Sequence, residues 1–249
     1  MKHDISERII QNLVDKHNLT RGQIIVEIEK TFSAMLSTWH RKNVVVIFSE
    51  RQLTAQAYVK NADGLKQIPV ELSVIRGWNT IKRIIIQNCE KASCLQKIKK
   101  YKEKEHQLVW GEILKKNNNG HLAVEIDFEG SPVIATCLIN HIGVHERNVV
   151  RAGDVKAFHV RRVEAVFFKR VPRFKVMVDR VSKTLVEILL KEKLGDIGGL
   201  INLKCKKRYV GHKSFVVSNH YLPGKIIKEV KNELKEHIQV TVQEKKNRK

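Results

Sequence analysis

Residues 108–138 read LVWGEILKKNNNGHLAVEIDFEGSPVIATCL, and two further apolar runs follow, GDVKAFHVRRV at 153–163 and FKVMV at 174–178. Val109 to Leu114, Leu122 to Ile126 and Val133 to Leu138 carry β-branched and aliphatic residues between turn formers, the pattern of short strands. Lys115-Lys116-Asn117-Asn118-Asn119-Gly120 is polar and ends on Gly, which predicts a hairpin loop. Gly153-Asp154 marks a turn before a fourth strand, Val155 to Val163, and Phe174 to Val178 makes a fifth. Five closely spaced short strands predict a small closed barrel.

The flanks read differently. At the front, Asp4 with Glu7 resembles a capping box, and Ile5, Ile9, Ile10 and Leu13 follow at helical spacing. Thr20 caps a second helix whose apolar face runs Ile24, Ile25, Ile28, Phe32, Met35, Leu36, Trp39. Asn43 breaks that pattern. Val44 to Phe48 predicts a buried strand, Glu50-Arg51 a turn, Leu53 to Val59 the returning strand, and Asn61-Ala62-Asp63-Gly64 a second turn. A long helix is predicted from Thr80 to near Glu105. It is apolar at first (Ile81, Ile84, Ile85, Ile86) and then a lysine-rich solvated rod, with a domain boundary near His106. Behind the barrel, Ser182 to Lys193 predicts a helix ended by Gly195 and Gly198-Gly199. Strands are predicted at Leu200 to Lys206 and Ser214 to Val217, a helix from Lys225 to near Lys235, and a closing strand at Ile238 to Val242. Glu244 to Lys249 is a charged tail. The fold class expected is α+β: an N-terminal α/β domain over 1–106, a five-stranded OB-type β-barrel over 107–182, and a small α+β module over 183–249.

The chain has 249 residues, 47 Lys and Arg against 26 Asp and Glu, and a formal net charge of +21. A hydrophobic content of 42% is enough to build cores, so a disordered polycation is excluded. The charge points to a polyanionic partner. It is concentrated: residues 151–183 hold ten basic side chains against three acidic ones, and residues 201–249 hold thirteen against four. No apolar run is long enough for a membrane span. Met-Lys-His-Asp is not followed by an apolar segment, so no secretory signal is expected. Cys89, Cys94, Cys137 and Cys205 contain no C-x-x-C pair and read as reduced thiols of a cytoplasmic protein. His141, His145 and Glu146 have a metal-like spacing, but Ile142-Gly143-Val144 between them is a poor helix. No P-loop, G-x-G-x-x-G or nucleophile–base pair is present. No catalytic residue, cofactor or metal is expected. Stacking aromatics are sought among Phe128, Phe158, Phe167, Phe168 and Phe174, and Phe128, between Asp127 and Glu129, reads as the best exposed.

Three segments carry a resemblance: Asn148 to Val160, with its Gly153-Asp154; Arg173-Phe-Lys-Val-Met-Val-Asp-Arg-Val-Ser182; and Val186-Glu-Ile-Leu-Leu-Lys-Glu-Lys-Leu194. Together they are similar to the bacterial transcription factor family NusA. Gly198 to Val217 and Gly224 to Val240 look like the two halves of that family's first KH domain. Where a KH domain has G-x-x-G, this chain has Tyr221-Leu222-Pro223-Gly224, and about ten residues of helix before it are absent. The family's second KH domain has no counterpart here. The resemblance implies that residues 1–106 dock on RNA polymerase core, and that barrel and reduced KH-like module meet nascent single-stranded RNA. It implies a monomer that works on pausing, termination and antitermination. The RNA-contacting residues expected are Lys115, Lys116, His121, Phe128, Arg151, Arg161, Arg162, Lys169, Arg170, Lys206, Lys207, Arg208, Gly224, Lys225 and Lys228. The competing reading is a free RNA-binding protein acting on ribosomal or messenger RNA without polymerase. A third, a metal-dependent RNA-processing hydrolase, would work through His141 or His145.

Overall fold

The computed structural model describes residues 7–49, 52–61, 64–72, 77–168 and 171–243. Within them the fold is α+β, with five helices and three sheets. The chain divides into two units, residues 1–97 with 167–173 and residues 98–166 with 174–249. No helix among the described residues is long and apolar enough to cross a membrane.

In the first unit, α1 (Glu7–His17) and α2 (Arg21–His40) pack on a three-stranded antiparallel sheet, β1 (Asn43–Ser49), β2 (Gln52–Asn61) and β3 (Gly64–Val70). Thr20 caps α2 as predicted. Its hydroxyl accepts from the Gln23 N–H at 3.3 Å, and the Gln23 side chain accepts from the Thr20 N–H at 2.8 Å. This reciprocal box satisfies two amides at the open helix end. The helix stops at Arg41, which turns left-handed at φ 50°. Ile10, Leu13, Ile24, Ile28, Phe32 and Leu36 meet Val44, Val46, Ala55, Ala57, Ile81 and Ile85 in one core. Trp39, expected on that face, is instead 47% exposed.

β1 is not fully buried as predicted. Its residues alternate in exposure, with Val44 and Val46 inside and Val45 and Ile47 outside. It is a sheet edge, and α2 covers the edge chemically. The Val44, Val46 and Phe48 amides donate to Ser37 Oγ (2.9 Å), Ser33 Oγ (2.9 Å) and Glu29 Oε1 (2.8 Å). Three polar side chains spaced by four along a helix thereby replace a neighbouring strand. β3 was not foreseen; Pro69 in its run argues against a strand, yet an edge position tolerates it. The expected capping box at Asp4, the Glu50-Arg51 turn, the residues Ala62-Asp63 and the tail from Glu244 lie outside the described residues.

α3 (Trp78–Lys102) connects the units. Its last turns are not the solvated rod expected. Ile98 and Tyr101 are buried, and Tyr101 packs between Phe128 at 5.0 Å and Phe174 at 5.2 Å. Lys100 and Lys104 clamp Glu129 at 2.6 and 3.1 Å.

All five strands predicted for the middle form one mixed sheet: β4 (Leu108–Lys116), β5 (Leu122–Phe128), β6 (Ser131–Cys137), β7 (Val155–Phe168) and β8 (Val171–Asp179). Their order is β4-β5-β6-β8-β7, and β7 pairs back onto β4, with Trp110 opposite Ala157. The β6–β8 pairing is parallel, with Ala135 opposite Val176. Alternation sends Leu122, Val124, Ile126, Val133, Ala135 and Val160 inward. Gly111 is required by a close approach: a Cβ there would lie 2.5 Å from a Val124 methyl.

The C-terminal module follows as α4 (Lys183–Lys193), β9 (Leu203–Tyr209), β10 (Lys213–Ser218), α5 (Gly224–Leu234) and β11 (His237–Val242). β10 is central, antiparallel to β9 and parallel to β11. α4 and α5 cover one face, burying Leu185, Val186, Leu189, Leu190, Val230 and Leu234 against Leu203, Cys205, Val216 and Ile238.

Candidate nucleic-acid interface

The second unit sorts its many cations into two populations. Arg180, just past β8, is wholly buried. Its guanidinium has five N–H groups, and every one finds an oxygen. Nε meets Glu146 Oε2 at 2.9 Å; Nη1 meets the Ala157 carbonyl at 2.6 Å and Glu233 Oε1 at 2.9 Å; Nη2 meets Glu146 Oε1 at 2.6 Å and the Glu233 carbonyl at 3.1 Å. Burial alone would lower the arginine's pKa, but the two glutamates outweigh it and raise it. The guanidinium also lies over the Phe158 ring, 5.6 Å from its centre. One side chain thus joins β7, the 142–150 segment and α5.

A second clasp forms beneath β9. The Arg208 side chain is only 2% exposed and meets the fully buried Glu236 at 3.0 Å. Arg208 Nη1 also donates to the Ser182 carbonyl. Glu236 further accepts from the Ser214 hydroxyl at 2.8 Å and the Gly211 amide at 3.2 Å. In the third buried pair, His159 Nδ1 contacts Asp179 Oδ2 at 3.1 Å. Burial pushes the Asp179 carboxyl up, but the His159 contact, the Ser182 amide and Arg161 together hold it below the usual carboxylate value.

These clasps correct several expectations. Arg208 is a structural cation, not a free RNA contact, because Glu236 neutralises it inside the core. Arg180, counted in the basic stripe, is structural for the same reason. Phe128 is 3% exposed and is a packing partner of Tyr101, not a stacking surface. Its polar sequence neighbours face outward while strand alternation turns the ring in. Phe158 is equally buried, and Phe174 is half-buried against Tyr101. His121 is half-buried, and its Nδ1 accepts the Ile139 amide at 3.1 Å, holding a loop. The residues weighed for a metal are used otherwise. Glu146 serves Arg180, and His145 Nε2 contacts the Leu234 carbonyl at 3.1 Å. Among the described residues no group of three or more His, Cys, Asp or Glu could hold a metal.

The remaining expected contacts face solvent. Lys115 and Lys116 stand at the end of β4, with Lys116 Nζ donating to the Arg147 carbonyl at 2.6 Å. Arg151 is exposed. Arg161 is exposed but lies 3.8 Å from Asp179, and Arg162 pairs with Glu164 at 2.6 Å. Lys206 and Lys207 are exposed on β9, and Gly224, Lys225 and Lys228 are exposed on α5. Lys169 and Arg170 lie outside the described residues. Leu222, in the 221–224 segment, is buried, Tyr221 is 80% exposed, and a Cβ on Gly224 would meet nothing within 4 Å. Pro223 has no amide proton to offer a phosphate.

Sequence reasoning passed over Tyr209 and Phe215. They lie on adjacent strands, β9 and β10, with ring centres 6.4 Å apart, edge to face at 76°. Lys207 Nζ sits 4.8 Å from the Tyr209 ring centre and Lys213 Nζ 4.9 Å from that of Phe215. The available signal was the alternation Lys207, Tyr209 and Lys213, Phe215 in two runs without a single acid.

No protein-family model matches this chain, and no curated protein matches it.

Proposed function

We propose that the chain is an RNA-binding transcription factor of the NusA type, which holds RNA polymerase with its N-terminal domain and meets the emerging transcript with its second unit. The observation that carries the reading is the exposed cation set on β4–β5, β7, β9 and α5, in a chain of net charge +21. Neutralising phosphates releases counterions, so such a surface binds nucleic acid with steep salt dependence. The middle sheet supports the reading further. Numbered from its first strand, the order is 1-2-3-5-4 with the fourth returning to the first, and strands three and five run parallel. That order is similar to that of an OB barrel, whose first hairpin loop and fourth-to-fifth connection are the usual places of oligonucleotide contact. Here Lys115 and Lys116 end the strand that enters the first hairpin loop. The order α4-β9-β10-α5-β11 is similar to a KH domain lacking one helix. With Pro223 in its loop, that module's grip on RNA comes from charge more than from loop amides.

For the anchor, the first unit offers Trp39, Ile68 and Pro69 around a shallow open depression of about 420 Å³. Tethering there would raise the local RNA concentration to about millimolar, so a weak RNA affinity suffices. The test uses the full chain. It should co-purify with RNA polymerase core, and it should bind single-stranded RNA with affinity falling steeply as salt rises. RNA binding without polymerase co-purification would favour the free RNA-binding reading. Failure to bind RNA at low ionic strength would overturn both.

A further inference from the structure

β9, β10 and β11 turn Leu203, Cys205, Val216 and Ile238 toward the helices. On β10, alternation turns Lys213 and Phe215 to the opposite face, and on β9 an extra residue at Lys206, where the register shifts, brings Lys207 and Tyr209 to that same face beside them. The register sets Tyr209 across from Lys213 and Phe215 across from Lys207, so the rings lie on a diagonal and the lysines on the other. Tyr209 is 47% exposed. The three strands contain no Asp or Glu, while Lys204, Lys206, Lys207 and Lys213 all lie on them. Tyr209, half in water, adds little to folding, and together with the part-buried Phe215 and the two lysines it matches the faces and phosphates of an unpaired strand.

We propose that this open sheet face is a stacking platform for unpaired RNA bases, with Tyr209 and Phe215 as the rings and Lys207 and Lys213 beside the phosphates. The proposal rests on the RNA-binding reading and sharpens it, because it names base contacts where the cation set alone names only phosphate contacts. The occupant is single-stranded: stacked and paired bases of a duplex present no free face to a flat sheet.

The experiment is fluorescence anisotropy of the full chain with a labelled RNA of about twelve nucleotides, a length suited to stacking sites of this kind. Tyr209→Leu, at an exposed position, should weaken binding by at least about fivefold, and Phe215→Leu should do likewise. Neither removes a charge, so the slope of affinity against salt should stay unchanged. Tyr209→Trp should restore binding, and its indole fluorescence should change when RNA is added. If the parent binds RNA and both leucine variants bind within about twofold of it, the platform is overturned while the RNA-binding reading stands. A duplex of the same length binding as tightly as the single strand overturns it too. If the parent binds no RNA, both fall together.

Discussion

Two sets of cations in the same unit meet opposite fates. Arg180 and Arg208 are enclosed with carboxylates and carbonyls that consume their donors, while Lys207, Lys225 and Arg151 stand in solvent. Lys213 is part-buried but keeps no acid beside it on its strand, and both sets enter equally into a charge count. The difference teaches that a basic segment overstates what a partner can touch: where carboxylates and carbonyls can fill an arginine's planar fork of donors, the cation is drawn inward and lost to the surface.

The comparison breaks most visibly at Arg180. Arg180→Ala strands the buried Glu146 and the part-buried Glu233 as uncompensated acids and should cost about 3–5 kcal/mol, measured by urea unfolding. Arg180→Met in a Glu146→Gln background, which removes one charge from each side, should recover part of that loss. An Arg180→Ala variant as stable as the parent would mean that the clasp carries no weight. The exposed set predicts the converse. Lys207→Ala with Lys213→Ala should leave the melting temperature unchanged but reduce the salt slope of RNA binding by about two and weaken binding about tenfold at moderate salt.

Smaller effects test the rest of the contrast. Ser33→Ala leaves the Val46 amide without its acceptor and should cost about 1 kcal/mol in the same unfolding assay. The smallest is pH-dependent. Burial and, secondarily, Arg161 lower the pKa of His141 below its ordinary 6.5, with Asp179 opposing. The unfolded chain then takes up a proton that the folded chain refuses, so stability falls as pH drops below 6.5 toward the depressed value. The melting temperature should therefore decline through that window, and His141→Gln should flatten the decline by a small amount.

The strands of the middle sheet, the Thr20 cap and the helices of the last third were legible because each is written locally, in alternation, capping residues or 3.6-residue spacing. What was not legible depends on partners distant in sequence. Phe128 looks exposed beside Asp127 and Glu129 until Tyr101, from a helix, closes over it. Glu146 looks like part of a metal-like spacing and Glu236 like one more acid beside a lysine until the fold sets arginines against them. The lysine-rich end of α3 hides Ile98 and Tyr101, whose three-residue spacing was visible but outvoted by charge. β3 carries no β-branched run to mark it, and Pro69 fits it only because the strand lies at a sheet edge. Of the candidate site, the lysines that lie exposed were singled out from composition. The rings Tyr209 and Phe215 were not, because only the cross-strand register makes them neighbours.

The polar side chains of α2 that occupy the amides of β1 leave the first sheet asymmetric. One margin is sealed by Ser37, Ser33 and Glu29, while at the other, among the described residues, no strand lies beyond β3. Any extended segment from another molecule that adds to this sheet must therefore align along β3, and Pro69 interrupts the ladder it could build there.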